Sequence, residues 1–247
     1  METIYLEETD STNNWIAGHE NKLPSQAMVW CRRQYAGRGQ RGNSWESEPG
    51  KNFTGSLLLH PENFPATKQF HLSEAVALAI IDTLDAYGIQ ATVKWPNDIY
   101  VGDQKICGIL FEHVVTGKNI TRSIVGIGLN VNQVRFISDA PNPVSMKMIT
   151  GNEFDLKKVA ERLAFNLASH TNRLFDETES FHSRYMSLLW RNDGNYYPFR
   201  DKKTGIAIRG KIIEVAPDGI ISIVTEKGDV NRYAFKEIEF LIDESIL

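Results

Sequence analysis

The chain has 247 residues, enough for one large domain or for a large domain and a small one. Hydrophobic residues make up 42% and charged residues 23%, the proportions of a folded globular protein rather than of a disordered chain or a membrane protein. The net charge of −4 argues against a protein that coats nucleic acid or an anionic membrane. Any site for an anion must therefore be local.

Targeting signals and cysteines point to one compartment. The first residues lack the basic and apolar regions of a signal peptide, and no stretch reaches the ~18 apolar residues of a membrane span. The two cysteines, Cys31 and Cys107, are too few for a disulfide framework or a cysteine-based metal site. We expect a cytoplasmic protein with reduced cysteines that binds neither a membrane nor nucleic acid.

The first predicted elements surround a glycine-rich loop. Ser11 stands where a helix N-cap is expected, just after the first strand. Apolar side chains at helical spacing predict an amphipathic helix over 73–87, which Gly88 would end. Runs of β-branched and aromatic residues predict strands over 3–7, 27–35 and 53–60.

Shorter elements follow in the second half of the chain. Apolar faces predict helices over 156–174 and 177–190. After the polar segment 191–195, short alternating strands separated by turns predict a small SH3-like β-barrel. Alternating apolar residues between the helices predict strands over 91–95, 99–101, 105–115 and 123–131. We expect an α+β fold, with a mixed β-sheet flanked by helices in residues 1–190 and the barrel in residues 191–247.

The segment 34–45 is the first candidate for chemistry. Its alternate glycines would let backbone N–H groups turn toward an anion. Four arginines fall within ten residues of this acidic chain: Arg32, Arg33, Arg38 and Arg41. The segment predicts a loop that binds phosphate or carboxylate, although a solvated basic turn has the same composition.

Two further segments carry polar side chains suited to a ligand. After Pro96, Asn97 and Asp98 can bond a ligand or the turn itself. Lys105 lies on a predicted strand before small residues and could point into a cleft, although a lone strand lysine is commonly solvated. Asn130 ends a glycine-containing strand, and its amide could pair with the edge of an adenine.

Five motifs resemble, in their order and spacing, those of the biotin protein ligases. The resemblance covers the chain to about residue 190, and the C-terminal part is also similar to that family's small last domain. It implies a class II synthetase-like catalytic fold. The motifs are Asp10-Ser11-Thr12-Asn13, residues 36–42 with Trp45, Lys94-Trp95-Pro96-Asn97-Asp98, Lys105-Ile106-Cys107-Gly108-Ile109-Leu110 and Gly126-Ile127-Gly128-Leu129-Asn130.

The resemblance implies an enzyme that activates biotin with ATP and Mg²⁺ as biotinyl-5′-AMP. The biotinyl group would pass to a lysine of a biotin carboxyl carrier domain of acetyl-CoA or a related carboxylase, and the enzyme could be a homodimer. Biotin-binding residues would be Ser11, Thr12, Asn13, Gln34, Gly37, Arg38, Gly39, Gln40, Lys105 and Gly108. ATP and adenylate would contact Arg38, Gln40, Arg41, Trp45, Lys94, Asn97, Asp98 and Asn130.

Lys105 and Arg38 are the expected catalytic cations. Biotin's carboxylate must attack the α-phosphorus of ATP, which brings two anions together. At an effective dielectric constant of ~20, a unit charge about 4 Å away contributes about 4 kcal/mol, enough to offset much of that repulsion. The ligands of Mg²⁺ stay unassigned.

Two departures from the family's pattern limit the resemblance. Gln40 stands where many of these ligases have a second loop arginine, which places the hold on the adenylate in doubt. Ten residues precede Ser11, so we expect the monofunctional type without an N-terminal DNA-binding domain.

Two alternatives remain. A lipoate ligase or octanoyltransferase would share the fold, with Cys107 as a possible acyl-accepting nucleophile. A non-catalytic nucleic-acid binder would use the barrel and the arginine loop, which the acidic charge disfavours.

Overall fold

The computed structural model describes residues 1–39, 43–138, 142–176 and 180–242. Its helices are α1 (Thr12–His19), α2 (Gln69–Asp85), α3 (Met146–Thr150), α4 (Leu156–Phe175) and α5 (His182–Ser187). Its strands are β1 (Glu2–Thr9), β2 (Gln26–Gln34), β3 (Phe53–Leu59), β4 (Phe64–Pro65), β5 (Thr92–Lys94), β6 (Asp98–Val101), β7 (Gln104–Thr116), β8 (Asn119–Leu129), β9 (Tyr197–Asp201), β10 (Ala207–Val215), β11 (Ile221–Thr225), β12 (Val230–Tyr233) and β13 (Ile238–Phe240). Within the described ranges, no helix has both the length and the apolar character needed to cross a membrane.

The larger sheet is mixed, as the sequence predicts. Its order is β1-β2-β3-β8-β7-β6-β5, with β4 beside one end of β8. The β1 and β2 strands are parallel and separated by α1, and the other pairs are antiparallel. The α+β class expected from the sequence is confirmed.

Strand alternation divides the sheet into two buried faces. Leu57 and Leu59 of β3 enter the main core, where α2 and α4 pack against each other. Between them, Leu58 points the opposite way and contacts Ile16 of α1 in a smaller cluster. Because α1 covers only part of its face, the rest of that face is open to form a site.

The helices differ from the sequence prediction in three places. The α2 helix begins at Gln69, four residues before the predicted start, and α3 was not predicted. The α5 helix is shorter than the predicted segment 177–190, of which 177–179 lie outside the described residues. The reason is tertiary pairing: the N–H of Val93 donates to the carbonyl of Leu188, and that of Trp190 to the carbonyl of Val93. These bonds take the last residues out of the helix.

The C-terminal strands form a second, five-stranded antiparallel sheet in the order β12-β11-β10-β9-β13. It runs as an open path, and β12 and β13 do not pair with each other in the described part of the chain. The expected small β-unit is present, without a closed ring of strand pairs. Its Phe199 and Phe240 belong to the same apolar core as Trp95 and Trp190 of the larger unit.

Candidate functional site

A cleft lies on the α1 side of the larger sheet, where the strand residues become small. Gly108 on β7 pairs with Gly128 on β8, and Ser56 on β3 pairs with Gly126. The cleft extends from this floor to the C-terminal sheet, with a volume of about 1410 Å³. That exceeds the roughly 300–1,000 Å³ of common single-ligand pockets, so two ligands can lie in it together.

A buried polar network occupies one end of the cleft. The backbone N–H and hydroxyl of Thr12 donate to Gln34 Oε1 at 2.9 and 3.2 Å. The hydroxyls of Thr12 and Ser56 are 2.6 Å apart, and Ser56 Oγ donates to Asn13 Oδ1 at 2.5 Å. Ser11 is buried beside them and makes no side-chain cap to α1, contrary to the capping expectation. These groups can donate to and accept from one small polar ring.

The network continues to the loop arginine through Glu112, which the sequence analysis did not single out. Asn13 Nδ2 donates to Glu112 Oε2 at 2.6 Å, and Arg38 Nη2 donates to the same oxygen at 2.9 Å. The Arg38 side chain is 41% exposed. The guanidinium is therefore held at the rim of the cleft by one carboxylate, and among the described residues this bond uses only part of its donors, which leaves others for an anion.

Residues 37–39 pair with residues 43–45 in an antiparallel arrangement. The N–H of Trp45 donates to the carbonyl of Gly37 at 3.0 Å, and a Cβ at Gly37 would lie 2.7 Å from the Trp45 carbonyl oxygen. The N–H of Gly39 donates to the Asn43 carbonyl at 2.6 Å. Gln40, expected to contact both biotin and the nucleotide, and Arg41, expected to contact the nucleotide, lie outside the described residues.

Lys105 lies within the cleft and has a partner. Its Nζ is 2.7 Å from Asp98 Oδ1, with side-chain exposures of 23% and 21%. The Nζ is also 5.7 Å from the centre of the Trp45 ring. The sequence analysis expects Lys105 and Asp98 each to contact a ligand. In the structure their side chains pair with each other, so that Asp98 orients the ammonium group of Lys105.

Lys94 and Asn97 line the cleft, but their polar groups bond to other protein groups. Lys94 Nζ donates to the Tyr100 hydroxyl at 3.1 Å and lies 5.9 Å from the rings of Trp190 and Phe240. Burial lowers the pKa of Lys94, against the opposing effect of Asp98. The Asn97 side-chain amide donates to the Ile109 carbonyl, so this amide supports the turn between strands.

The expected adenine side contains two unpaired polar groups. Asn130 is 2% exposed, and its Nδ2 donates to the Val144 carbonyl at 3.0 Å, whereas its Oδ1 has no partner among the described residues. For the pairing with an adenine edge that the sequence suggests, the amide therefore offers chiefly its oxygen, an acceptor. Trp45 lies over Gly108 and Gly128, and its buried Nε1 also has no partner within the described chain.

Cys107 is not placed for nucleophilic chemistry. It is fully buried, and burial raises the pKa of its thiol far above the ordinary value, with a smaller opposing effect from Lys105. A protonated, enclosed thiol cannot accept an acyl group. In the described ranges, no group of three or more histidine, cysteine, aspartate or glutamate side chains could hold a metal ion.

Two relatives of this chain are both named as ligases. The Bacillus spizizenii bifunctional ligase/repressor BirA is 30% identical over 243 residues, covering 94% of this chain and 72% of the relative. The Paracoccus denitrificans biotin–[acetyl-CoA-carboxylase] ligase is 37% identical over 166 residues, covering 64% of this chain and 68% of the relative.

The fold has a close counterpart among solved structures. The biotin protein ligase from Aquifex aeolicus in complex with biotin and ATP superposes with a TM-score of 0.78 at 26% identity, covering 97% of this chain and 98% of that one. The sequence profile of the biotin/lipoate A/B protein ligase family matches residues 5–130, which carry the polar network, Arg38, Lys105 and Asn130. The chain belongs to the biotin/lipoate A/B protein ligase family.

Proposed function

We propose that this chain is a biotin protein ligase that forms biotinyl-5′-AMP from biotin and ATP and transfers the biotinyl group to a lysine of a carrier protein. One observation carries the proposal. A single cleft is lined at one end by Thr12, Asn13 and Gln34, backed by the buried Ser56. The cations Lys105 and Arg38 lie beside them, and beyond lies the side-chain oxygen of Asn130, which has no partner among the described residues.

The polar network is the proposed site for biotin's ureido ring. That ring has two N–H donors and one carbonyl acceptor, and the hydroxyls of Ser11 and Thr12, which line the cleft, are of the kind that can serve as either partner. A site built to bond such groups rejects analogues without them by factors of ~10⁴, which an apolar slot cannot do. The floor at Gly108 lets the flat ligand lie close to the strands.

The cations beside the network serve the first chemical step. A carboxylate oxygen of biotin attacks the α-phosphorus of ATP, and pyrophosphate leaves. Lys105, oriented by Asp98, and Arg38, held by Glu112, lower the repulsion between the two anions. Mg²⁺ accompanies the ATP phosphates and neutralises part of their charge.

The second step needs alignment rather than a protein nucleophile. The deprotonated amine of the carrier lysine attacks the acyl carbon of the mixed anhydride, and an amide bond forms. The acyl–oxygen bond breaks, AMP leaves with the bonding electrons, and the surplus amine proton passes to solvent. Arg38 lies at the exposed rim, where it can reach the departing phosphate while the carrier approaches from solvent.

The finer assignments belong to the same proposal. The carrier is a biotin carboxyl carrier domain of acetyl-CoA or a related carboxylase, and the enzyme works in the cytoplasm, which the free thiols of Cys31 and Cys107 fit. The proposal includes a homodimer. In the described chain, residues 111–116 of β7 pair with β8 alone, and their open strand edge could pair with a second copy. The division at residues 190 and 191 stays a prediction.

The test is a direct assay for adenylate. The chain is incubated with ATP and biotin, lipoate or octanoate, and pyrophosphate release and acyl-AMP are measured before any carrier is added. We expect biotinyl-AMP, followed by a biotin-sized mass increase on a carrier domain and none on the same domain with its acceptor lysine replaced by arginine. Acyl-AMP formation from lipoate and not from biotin would reverse the assignment.

A further inference from the structure

Two loops that border the cleft are joined by the side chain of Glu46. Glu46 Oε1 accepts from the backbone N–H of Ile137 at 3.0 Å, and Oε2 accepts from the same N–H at 3.1 Å and from the N–H of Ser138 at 2.8 Å. Gln133 Nε2 donates to Oε1 at 3.0 Å. Glu46 directly follows Trp45, so one carboxylate connects the tryptophan loop to residues 133–138.

Gln133 and Asn52 extend this connection into the core. Gln133 is 2% exposed, and its Oε1 accepts from the N–H of Glu48 at 2.9 Å and from Asn52 Nδ2 at 2.6 Å. Asn52 is 1% exposed, and its Oδ1 accepts from the N–H of Val131 at 3.0 Å. The two loops are therefore bonded at successive points, from buried Asn52 to Glu46 at the edge of the cleft.

The outermost bonds hold groups that line the cleft. Phe136 and Ser138 of the second loop line it, as do Trp45 and Glu46 of the first. Val134, Arg135, Ile137 and Ser138 are exposed, so apolar burial does little to hold this loop. Beyond Gln133, the hydrogen bonds from the backbone N–H groups of Ile137 and Ser138 to Glu46 attach the described part of this loop.

A carboxylate suits this position better than an amide. Burial raises the pKa of Glu46, but the hydrogen bonds from Ser138, Ile137 and Gln133 together lower it below its ordinary value. The charge is thus stabilised by donors converging on two oxygens. A glutamine would turn one oxygen into an NH₂ group facing those N–H donors, so the same shape would bond fewer of them.

We propose that Glu46 is a positioning residue for ATP, holding residues 133–138 beside Trp45 so that the adenine side of the cleft is formed before the nucleotide binds. The inference rests on the proposed function, which identifies biotin as the second substrate. The polar network proposed for biotin lies at the other end of the cleft, so we expect biotin binding not to depend on Glu46. Because the loop is already ordered before ATP binds, the free energy of ATP binding is not reduced by the cost of ordering it.

The experiment compares Glu46→Gln with Glu48→Gln in the full chain. Glu48 is two residues away and exposed, and it contributes its backbone N–H to the network, so its substitution makes the same charge change without touching the carboxylate contacts. For each variant, the Michaelis constants for ATP and biotin, the melting temperature and the hydrogen exchange of the Ile137 and Ser138 amides are measured. Binding of Mg-ATP alone is measured by calorimetry.

We expect Glu46→Gln to raise the Michaelis constant for ATP and to weaken Mg-ATP binding by about tenfold, the effect of losing one charge-assisted hydrogen bond. The constant for biotin and the melting temperature stay at wild-type values, exchange of the two amides accelerates, and Glu48→Gln behaves as wild type. A parallel rise of both Michaelis constants, or unchanged Mg-ATP binding, overturns the inference. If the wild type made no biotinyl-AMP, the proposed function would fail, while Mg-ATP calorimetry would still decide the role of Glu46.

Discussion

Lys105 shows what a single residue's environment adds to a motif. The sequence predicts a strand lysine pointing into a cleft, and the structure places it there with Asp98 as its partner. Seven positions separate the two residues, and a register shift between β6 and β7 lies between them. Because that irregularity decides which side chains face each other, the pair could not be predicted from spacing alone.

Replacing Lys105 by methionine tests its charge. Methionine keeps much of the aliphatic stem, so packing is largely preserved while the electrostatic contribution is lost. We expect biotinyl-AMP formation to slow by ~10²–10³-fold, the cost of removing one preorganised charge partner. The measurement is pyrophosphate release in a single turnover, with a thermal melt of the same variant.

The matched control is Lys203→Met, since Lys203 is also paired, at 2.7 Å from Glu237, and lies outside the cleft. That variant should keep wild-type activity. Adenylation by the Lys105 variant within about threefold of wild type, with a normal melt, would show that the lysine is only a structural partner of Asp98.

Glu112 and Ser56 mark the limit of prediction at this scale. Glu112 bonds Arg38 across 74 positions and Asn13 across 99, and Ser56 bonds Asn13 across 43. Arg38 and Asn13 belong to short sequence motifs, so the sequence alone predicts that they are site residues. Their partners are chosen by strand order in the sheet, which a single sequence does not reveal.

At the scale of elements, strand alternation was the reliable signal. Alternating apolar residues predict β7 and β8, and runs of β-branched and aromatic residues predict β2 and β3. Within β3, the alternation of Leu57, Leu58 and Leu59 separates the two buried faces. Element ends were less predictable, because they depend on contacts from elsewhere. The bonds of Leu188 and Trp190 to Val93 ended a helix that local pattern would have continued.

Gly128→Ala tests the small-residue floor of the cleft. A Cβ at Gly128 would overlap Cε2 of the Trp45 ring, so the ring has to shift. We expect the substitution to cost about 1–3 kcal/mol, shared between stability and the free energy of adenylate formation. The intrinsic fluorescence of the variant should shift as the ring is displaced.

Two further variants separate overlap from a general effect of the added methyl group. Gly18→Ala adds a methyl group with no heavy atom within 4 Å, so it should be neutral. Trp45→Phe in the Gly128→Ala background should recover part of the loss, because a smaller ring fits over the new Cβ. Additive effects of the two substitutions would mean that the side chains do not meet.

On the scale of the whole molecule, the boundary predicted at residues 190 and 191 crosses a continuous core. Trp95 Nε1 donates to the Gly219 carbonyl at 3.0 Å, and Phe240 lies 6.0 Å from the Trp190 ring and 5.0 Å from the Phe199 ring. Composition and turn pattern indicated a change of architecture at this point. They could not indicate that aromatic side chains from both units share one interior, because those contacts are nonlocal.

The shared core predicts that the two sheets unfold together. Phe240 is 8% exposed and touches aromatic rings of both units, so Phe240→Ala should cost about 3–5 kcal/mol and lower the melting temperature by roughly 10 °C. Tryptophan fluorescence reports the larger unit, far-ultraviolet circular dichroism reports both, and the two should show one coincident transition in wild type and variant. Phe165→Ala is the matched control, since Phe165 is 66% exposed and its loss should leave the melting temperature nearly unchanged. Two separate transitions, with only a minor one shifted by Phe240→Ala, would instead mean that the C-terminal sheet folds independently and meets the larger unit as a rigid neighbour.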